Sequence, residues 1–294
     1  MPLVIEFGQQ LLNGLVVGGI YAMMALGLTM IFGILDQVNF AHGEMYMLGA
    51  YATLFFAVSA GIPYPFAILL AMAAIAILGL LYEWLIFRPL RGTDPLNVII
   101  SSLGASIFLW NVALYLFGST PRQLKIAFAE VVITLGGLSL TLQRLLVVVI
   151  TLLLILILYF FIMRTRMGKA MRAMAQDREV ASLMGVEINR VAEITFAIGG
   201  ALAGAAGALI GPIFLIYPAM GLMAVQKAFA VVIVGGMGNV SGAIFAGFAL
   251  GIVESLGAGF IASAYKHIIA FAILILALWL RPEGLFGRTA RKGG

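Results

Sequence analysis

Apolar runs long enough to cross a lipid bilayer follow one another along almost the whole of this sequence. They lie near residues 9 to 35, 41 to 60, 64 to 87, 97 to 117, 144 to 163, 192 to 212, 223 to 236, 241 to 258 and 264 to 280. A helix needs about 20 mainly apolar residues to span roughly 30 Å of hydrocarbon, where only internally hydrogen-bonded backbone is stable. The expected fold is therefore an all-α polytopic membrane protein of about 8 to 10 transmembrane helices, broken or re-entrant segments included. Composition agrees: 63% of residues are hydrophobic and 10% charged, against about 25% charged in an ordinary soluble domain. One transmembrane domain over 1–294 is expected. The first run is not a cleaved leader on this reading, because no basic residue precedes it; the first Lys or Arg is Arg88.

Orientation is read from the scarce cations, since cytoplasmic loops retain Lys and Arg. Twelve of the 17 fall in three clusters: Arg88 and Arg91; Arg164, Arg166, Lys169, Arg172, Arg178 and Arg190; Arg281, Arg288, Arg291 and Lys292. Two spans separate the first two clusters and four separate the second from the third, so all three can face one side. The C-terminus is then cytoplasmic and, with nine crossings, the N-terminus external. Residues 164–190 form a cytoplasmic loop and 118–143 an external one, whose Arg122, Lys125 and Glu130 read as solvated charges.

Glycine organises the packing, because small residues let helix backbones approach in lipid. Gly200, Gly204, Gly207 and Gly211 form one stripe, and Gly14 with Gly18 and Gly247 with Gly251 are four-spaced pairs. A faint repeat also runs through the chain. Leu85 to Leu90 and Leu278 to Glu283 both end a span on Arg-Pro, and each is preceded by a polar break, Asp36 to Gly43 and Gly235 to Gly242. The alternative is two unrelated helix ends.

Chemistry of the bond-making kind finds no support. The chain has no Cys and 2 His, which leaves no thiolate nucleophile and no His or Cys cluster with metal-ligand spacing. No G-x-x-x-x-G-K-[ST] phosphate loop is present, so the chain binds no ATP by itself. No cofactor or metal is expected. Ionisable groups inside a membrane are costly and suggest function. Here they are His42, Glu44, Glu83, Lys227, Glu254, Lys266 and His267. Lys227 and Glu254 lie at similar depth on antiparallel neighbours; either they pair or each reaches its own interface.

The informative polar piece is Arg164 to Arg190, long enough for helix, turn and helix. Met171, Met174, Ala175, Ala181, Leu183 and Met184 give it apolar surface suited to an adaptable groove on a partner. Gly185 is placed to end the second helix as the residue after its cap.

The run Ala175-Gln176-Asp177-Arg178-Glu179-Val180-Ala181-Ser182-Leu183-Met184-Gly185-Val186, followed by Asn189-Arg190, Thr195-Phe196-Ala197 and Ala201 to Gly207, resembles the coupling loop and next helix of branched-chain amino acid ABC transporter permeases of the LivH type. Asn39-Phe40-Ala41-His42-Gly43, Gly49-Ala50-Tyr51, Gly235 to Asn239 and Arg281 to Gly287 extend the resemblance over most of 10–288. It implies a permease subunit of an importer in the bacterial inner membrane, working with a second, related permease chain, two ATP-binding subunits and a periplasmic binding protein. On this resemblance Gly168, Arg172, Ala175, Arg178, Ala181 and Gly185 couple to the ATPase. Asn39, His42, Glu44, Asn239 and Ser241 are candidates for the translocation path; the alternative is that they only cap helices. Import of urea, short amides or aromatic carboxylates is the runner-up within the family, and a stand-alone carrier or channel the alternative outside it.

Overall fold

The structure is a computed structural model that describes residues 2–126, 131–135, 137–262, 266–281 and 284–286. Eleven helices and one small hairpin are described. They are α1 (Pro2–Leu35), α2 (His42–Leu54), α3 (Tyr64–Tyr82), α4 (Pro95–Phe117), β1 (Val132–Leu135), β2 (Leu138–Thr141), α5 (Leu142–Arg164), α6 (Arg166–Met174), α7 (Arg178–Leu183), α8 (Ile188–Ile210), α9 (Met220–Gly235), α10 (Val240–Phe260) and α11 (Lys266–Leu280).

Nine of these helices occupy the nine expected runs, but they are not equal. Among the described residues six helices are long and apolar enough to cross a bilayer: α1, α3 with its terminal turn, α4, α5, α8 and α10. The other three, α2, α9 and α11, have 13, 16 and 15 residues, which at 1.5 Å per residue gives about 20–24 Å, short of a bilayer core. Five-residue π-helical turns extend α2 at Phe55–Ser59 and α3 at Glu83–Phe87.

The bundle is built around α1 and α8, which are mostly buried, while α4 and α5 present most of their apolar side chains outward. Close backbone contact explains why the glycines fall where they do. A Cβ on Gly251 would lie 2.3 Å from the Cα of Gly18, and one on Gly14 would lie 2.6 Å from the Cα of Ile252. The two four-spaced pairs therefore form the seam between α1 and α10. Along α8, a Cβ on Gly200 would meet the Ile75 carbonyl, one on Gly204 the Ile75 side chain and one on Gly207 the Tyr46 carbonyl. Gly211 is less crowded, a Cβ there lying 3.2 Å from the Ile216 side chain and 3.7 Å from the Ala208 carbonyl.

The polar groups at helix ends are satisfied by specific partners. Gln143 at the start of α5 donates to the Tyr64 hydroxyl and to the Leu209 carbonyl at 3.0 and 3.3 Å, and Tyr64 donates to the Ala208 carbonyl at 3.0 Å. These bonds occupy carbonyls at the end of α8 that have no intrahelical donor. Gln9 of α1 exchanges two bonds with the backbone of Ser139 and so anchors the β1–β2 hairpin. That hairpin was not foreseen within the loop 118–143. Arg122 donates to the Phe117 carbonyl at 2.8 Å, so it is a bonded turn residue rather than a simply solvated charge, and Glu130 lies outside the described residues.

Asp36 follows α1 with φ +54, the single non-glycine at positive φ among the described residues. Its backbone N–H donates to the Phe32 carbonyl at 2.8 Å and closes the helix. Asp tolerates this left-handed conformation, which a β-branched residue resists. Asp36→Gly is expected to leave stability within about 0.5 kcal/mol and Asp36→Val to cost about 1–2 kcal/mol. Thermal unfolding of the detergent-solubilised protein checks both; equal midpoints for the two variants would refute the backbone argument.

Candidate functional site

The first polar break is re-entrant. From Asp36, at positive φ, to the turn at Phe40 and Ala41 the chain is non-helical and runs back beside α1, so that His42, the first residue of α2, meets the carbonyl of Met24 through Nε2 at 3.2 Å. Its ring also sits against Gly27, within 2.8 Å of where a Cβ would stand. Met24 and Gly27 are 11 and 8 residues before the end of α1 at Leu35, or about 12–17 Å up the helix. The N-terminus of α2 is thus inside the bundle, which is where irregular backbone is tolerated in a membrane protein.

This placement buries three of the candidate path residues together in the sense of depth and sequence. Asn39 is fully buried with neither side-chain N nor O bonded to protein; His42 is fully buried with Nδ1 unbonded; Glu44 is 3% exposed. Ser106 of α4 donates to Glu44 Oε1 at 3.1 Å, while Oε2 has no protein donor and lies against Gly221 of α9. Buried polar atoms without partners are rare because each costs free energy comparable to a lost hydrogen bond.

The second break is built differently. Gly236 and Gly238 take φ +96 and +78, and Asn239 then caps α10 by accepting from the Gly242 N–H at 2.9 Å. Its amide also donates to the Phe286 carbonyl at 2.8 Å. Ser241 is exposed. Asn239 and Ser241 are therefore not brought beside Asn39, His42 and Glu44; Asn239 is occupied as a cap. The second break does touch the end of α1 through glycine, since a Cβ on Gly33 would lie 2.6 Å from the Gly238 Cα.

At the same end of the bundle lies a cavity of about 690 Å³, lined in part by Asp36, Gln37, Gly92, Ala175, Arg178 and Gly238. It brings the first two cation clusters to one end. The backbone bond from Leu285 to the Val234 carbonyl, 2.7 Å, brings residues 284–286 there as well. Arg288, Arg291 and Lys292 lie outside the described residues.

The 164–190 segment is helix, turn and helix. Thr165 caps α6 by accepting from Gly168 N at 2.9 Å; Asp177 caps α7 by accepting from Glu179 N and Val180 N at 2.9 and 3.0 Å. Gly185, φ +84, follows the cap of α7, with Gly185 N bonding Ser182 O and Val186 N bonding Ala181 O. That is the glycine-dependent helix end expected there.

Its apolar surface divides in two. Gly168, Met171, Met174 and Ala181 are buried against the bundle, whereas Val180, Leu183 and Met184 are 53%, 87% and 80% exposed. Ala175 and Gly185 are exposed, and Arg172 and Arg178 half-buried. Treating Met171 and Met174 of α6 as partner-facing was mistaken: their 3-residue spacing turns them inward. The Arg172 guanidinium donates to the Ile162 carbonyl and fastens α6 to the end of α5.

A charged network beside this segment went unforeseen. Glu83, wholly buried, pairs with Arg91, which also donates to Asn189; Arg88 pairs with Glu193 at 3.3 Å. Glu83 therefore pairs with Arg91 and not with the nearer Arg88. Burial first, and the neighbouring Arg178 cation second, lower the Arg91 guanidinium from its ordinary pKa. Lys227 and Glu254 do pair. The ammonium bonds Oε2 at 2.8 Å and lies 2.7 Å from Oε1, and the Tyr21 hydroxyl, which donates to Oε2 at 2.7 Å, also accepts from Lys227. The side chains of Lys266 and His267 lie outside the described residues.

A bundle with six helices long and apolar enough to cross a bilayer, a polar break folded back into it and a capped helical segment at one end belongs to a multi-pass membrane protein. The sequence model of the family described as branched-chain amino acid transport system / permease component matches residues 10–278, and the chain belongs to that family. It is 38% identical to the high-affinity branched-chain amino acid transport system permease protein BraD of Pseudomonas aeruginosa, over 98% of each chain. It is equally 38% identical to LivH of Escherichia coli, a permease protein of the same description, over 96% of each chain. The probable branched-chain amino acid transport permease LivH of Methanocaldococcus jannaschii is 29% identical over 98% of this chain and 95% of its own.

Proposed function

We propose that this chain is the permease subunit of an ATP-driven importer and forms the path for branched-chain amino acids across the bacterial inner membrane. The observation that carries the coupling half of this reading is the α6–α7 segment, which holds Val180, Leu183 and Met184 out in solvent on a basic loop. Exposed aliphatic side chains on a short capped helix need a groove to cover them. The partner of that chemistry is an ATP-binding subunit, two per complex, and α6–α7 moves with them as a lever. A second, related permease chain and a periplasmic binding protein complete the assembly.

The rigid end of that lever is the Met171, Met174 and Arg172 attachment to the bundle, and Gly168 and Ala181 serve it from within. Ala175, Arg178 and Gly185 lie nearer the partner. Motion of α6–α7 bears directly on the cavity it shares with Asp36 and Gln37, and so on the re-entrant segment that carries Asn39, His42 and Glu44. Those three are our candidates for the path; Asn239 serves as a cap at its edge and Ser241 as a solvent-facing neighbour. The end bearing the cation clusters is cytoplasmic on the positive-inside rule, the C-terminus with it. Residues 118–143 are then external and face the binding protein, within one transmembrane domain over 1–294.

The names of the relatives support branched-chain amino acids over urea, short amides or aromatic carboxylates as cargo. Reconstituted with its partners, the chain should import leucine only with ATP; ATP-independent transport by the purified chain alone would refute the reading. Leu183→Asp with Met184→Asp should lower co-purification of the ATP-binding subunit at least tenfold, about 1.4 kcal/mol, with permease yield unchanged. Undiminished co-purification would exclude these residues from the docking surface.

A further inference from the structure

Two members of the Tyr21–Lys227–Glu254 cluster, Tyr21 and Lys227, also line a cavity. That cavity, about 380 Å³, lies between α1, α2, the end of α8 and the start of α9. Tyr21, Tyr46, Tyr217 and Lys227 contribute its polar groups; Ile20, Phe214 and Met220 are among its apolar walls. Its volume falls within the range of small-ligand sites, which are mostly apolar with a few fixed polar groups. It is separate from the Asn39, His42 and Glu44 group, none of which lines it.

We propose that this cavity is a transit site for the zwitterion of an aliphatic amino acid, with the ligand carboxylate at the Lys227 ammonium and Tyr21 hydroxyl and its side chain against the apolar wall. This rests on the proposed function and deepens it. A lone charge at this depth is costly, and Lys227 and Glu254 neutralise each other when the cavity is empty. A zwitterion is likewise neutral overall. Its carboxylate can share Lys227 while its ammonium faces the Tyr46 and Tyr217 oxygens of the same lining, so entry leaves the net charge of the site unchanged. A monoanion or monocation of similar size would add an uncompensated charge. The exchange of one set of ion contacts for another makes binding weak, as passage through a path requires.

The chain has no native cysteine, so Ala224, which lines the cavity, can be made Cys and labelled specifically. In the assembled transporter in proteoliposomes, a small methanethiosulfonate should label Ala224→Cys, followed on this chain's own band. At leucine tenfold above its dissociation constant, labelling should slow about tenfold. Leucinamide and 4-methylpentanoate, each lacking one charge, should protect far less at equal concentration. Absent labelling, or labelling that leucine leaves unchanged, overturns the site; equal protection by the two analogues overturns the zwitterion assignment. Ala224→Trp, which fills the cavity, should abolish leucine uptake while the complex still assembles, and wild-type uptake in that variant also overturns the site. If the unmodified complex imports no aliphatic amino acid, the proposed function itself fails and this inference falls with it.

Discussion

Glu254→Ala, with Lys227 left in place, is expected to destabilise the protein by about 3–5 kcal/mol, the cost of leaving a buried charge without its counterion. Lys227 and Glu254 are 6% and 4% exposed, on α9 and α10 with the hydroxyl of Tyr21 between them. Removing either partner leaves the other buried without its counterion. The measurement is the amount of folded permease in membranes and its thermal midpoint in detergent. Removing both charges, as Lys227→Met with Glu254→Leu, should recover most of the loss, because well-packed apolar groups replace a buried pair at little cost. The charge-exchanged double variant should also exceed either single exchange. If Glu254→Ala keeps the wild-type midpoint, the pair is not a stabilising element. The recovered apolar double variant separates two roles: restored stability without restored leucine uptake is expected if the pair also meets the cargo.

A loss of similar size is expected from Gly251→Val. A Cβ alone would stand 2.3 Å from both the Cα and N of Gly18 and 2.6 Å from the Gly14 carbonyl. These are backbone atoms, so relief requires α1 and α10 to move apart along their seam. Overpacking typically costs about 1–3 kcal/mol and more where backbone must shift. The small-residue contact that replaces the hydrophobic effect between helices in lipid is lost as well. Gly104→Ala on α4 is the control, since nothing lies within 4 Å of a Cβ there. It should be neutral or stabilise by about 0.5–1 kcal/mol through helix propensity. Equal midpoints for the two variants would refute the close-packing account.

The legible part of the site was its chemistry by type. Gly185 announced a helix end, and Lys227 and Glu254 stood out as charges between apolar runs, while the structure decided that they pair rather than reach separate interfaces. What could not be read was partner choice. Glu83 is five residues from Arg88 and eight from Arg91 yet pairs with Arg91, a choice set by where the chain turns after the π-helical end of α3. Met171 and Leu183 are both apolar residues on a basic loop, and only the docking of α6 beneath the bundle makes one core and the other surface.

By itself, the sequence determined that this chain lies in a membrane as about nine helices, that four-spaced glycines such as Gly14 with Gly18 and Gly247 with Gly251 pack helices closely, and where its cations gather. Those follow from hydropathy and from the price of an unsatisfied backbone in hydrocarbon, both local quantities. Tertiary structure alone decided that α2 begins inside the bundle rather than at its edge. It also decided that Asn39, His42 and Glu44 are buried while Asn239 is used up as a cap, and that Tyr21 joins Lys227 and Glu254 beneath a cavity. Depth and proximity between helices depend on how far each backbone can approach another, and no single segment carries that information.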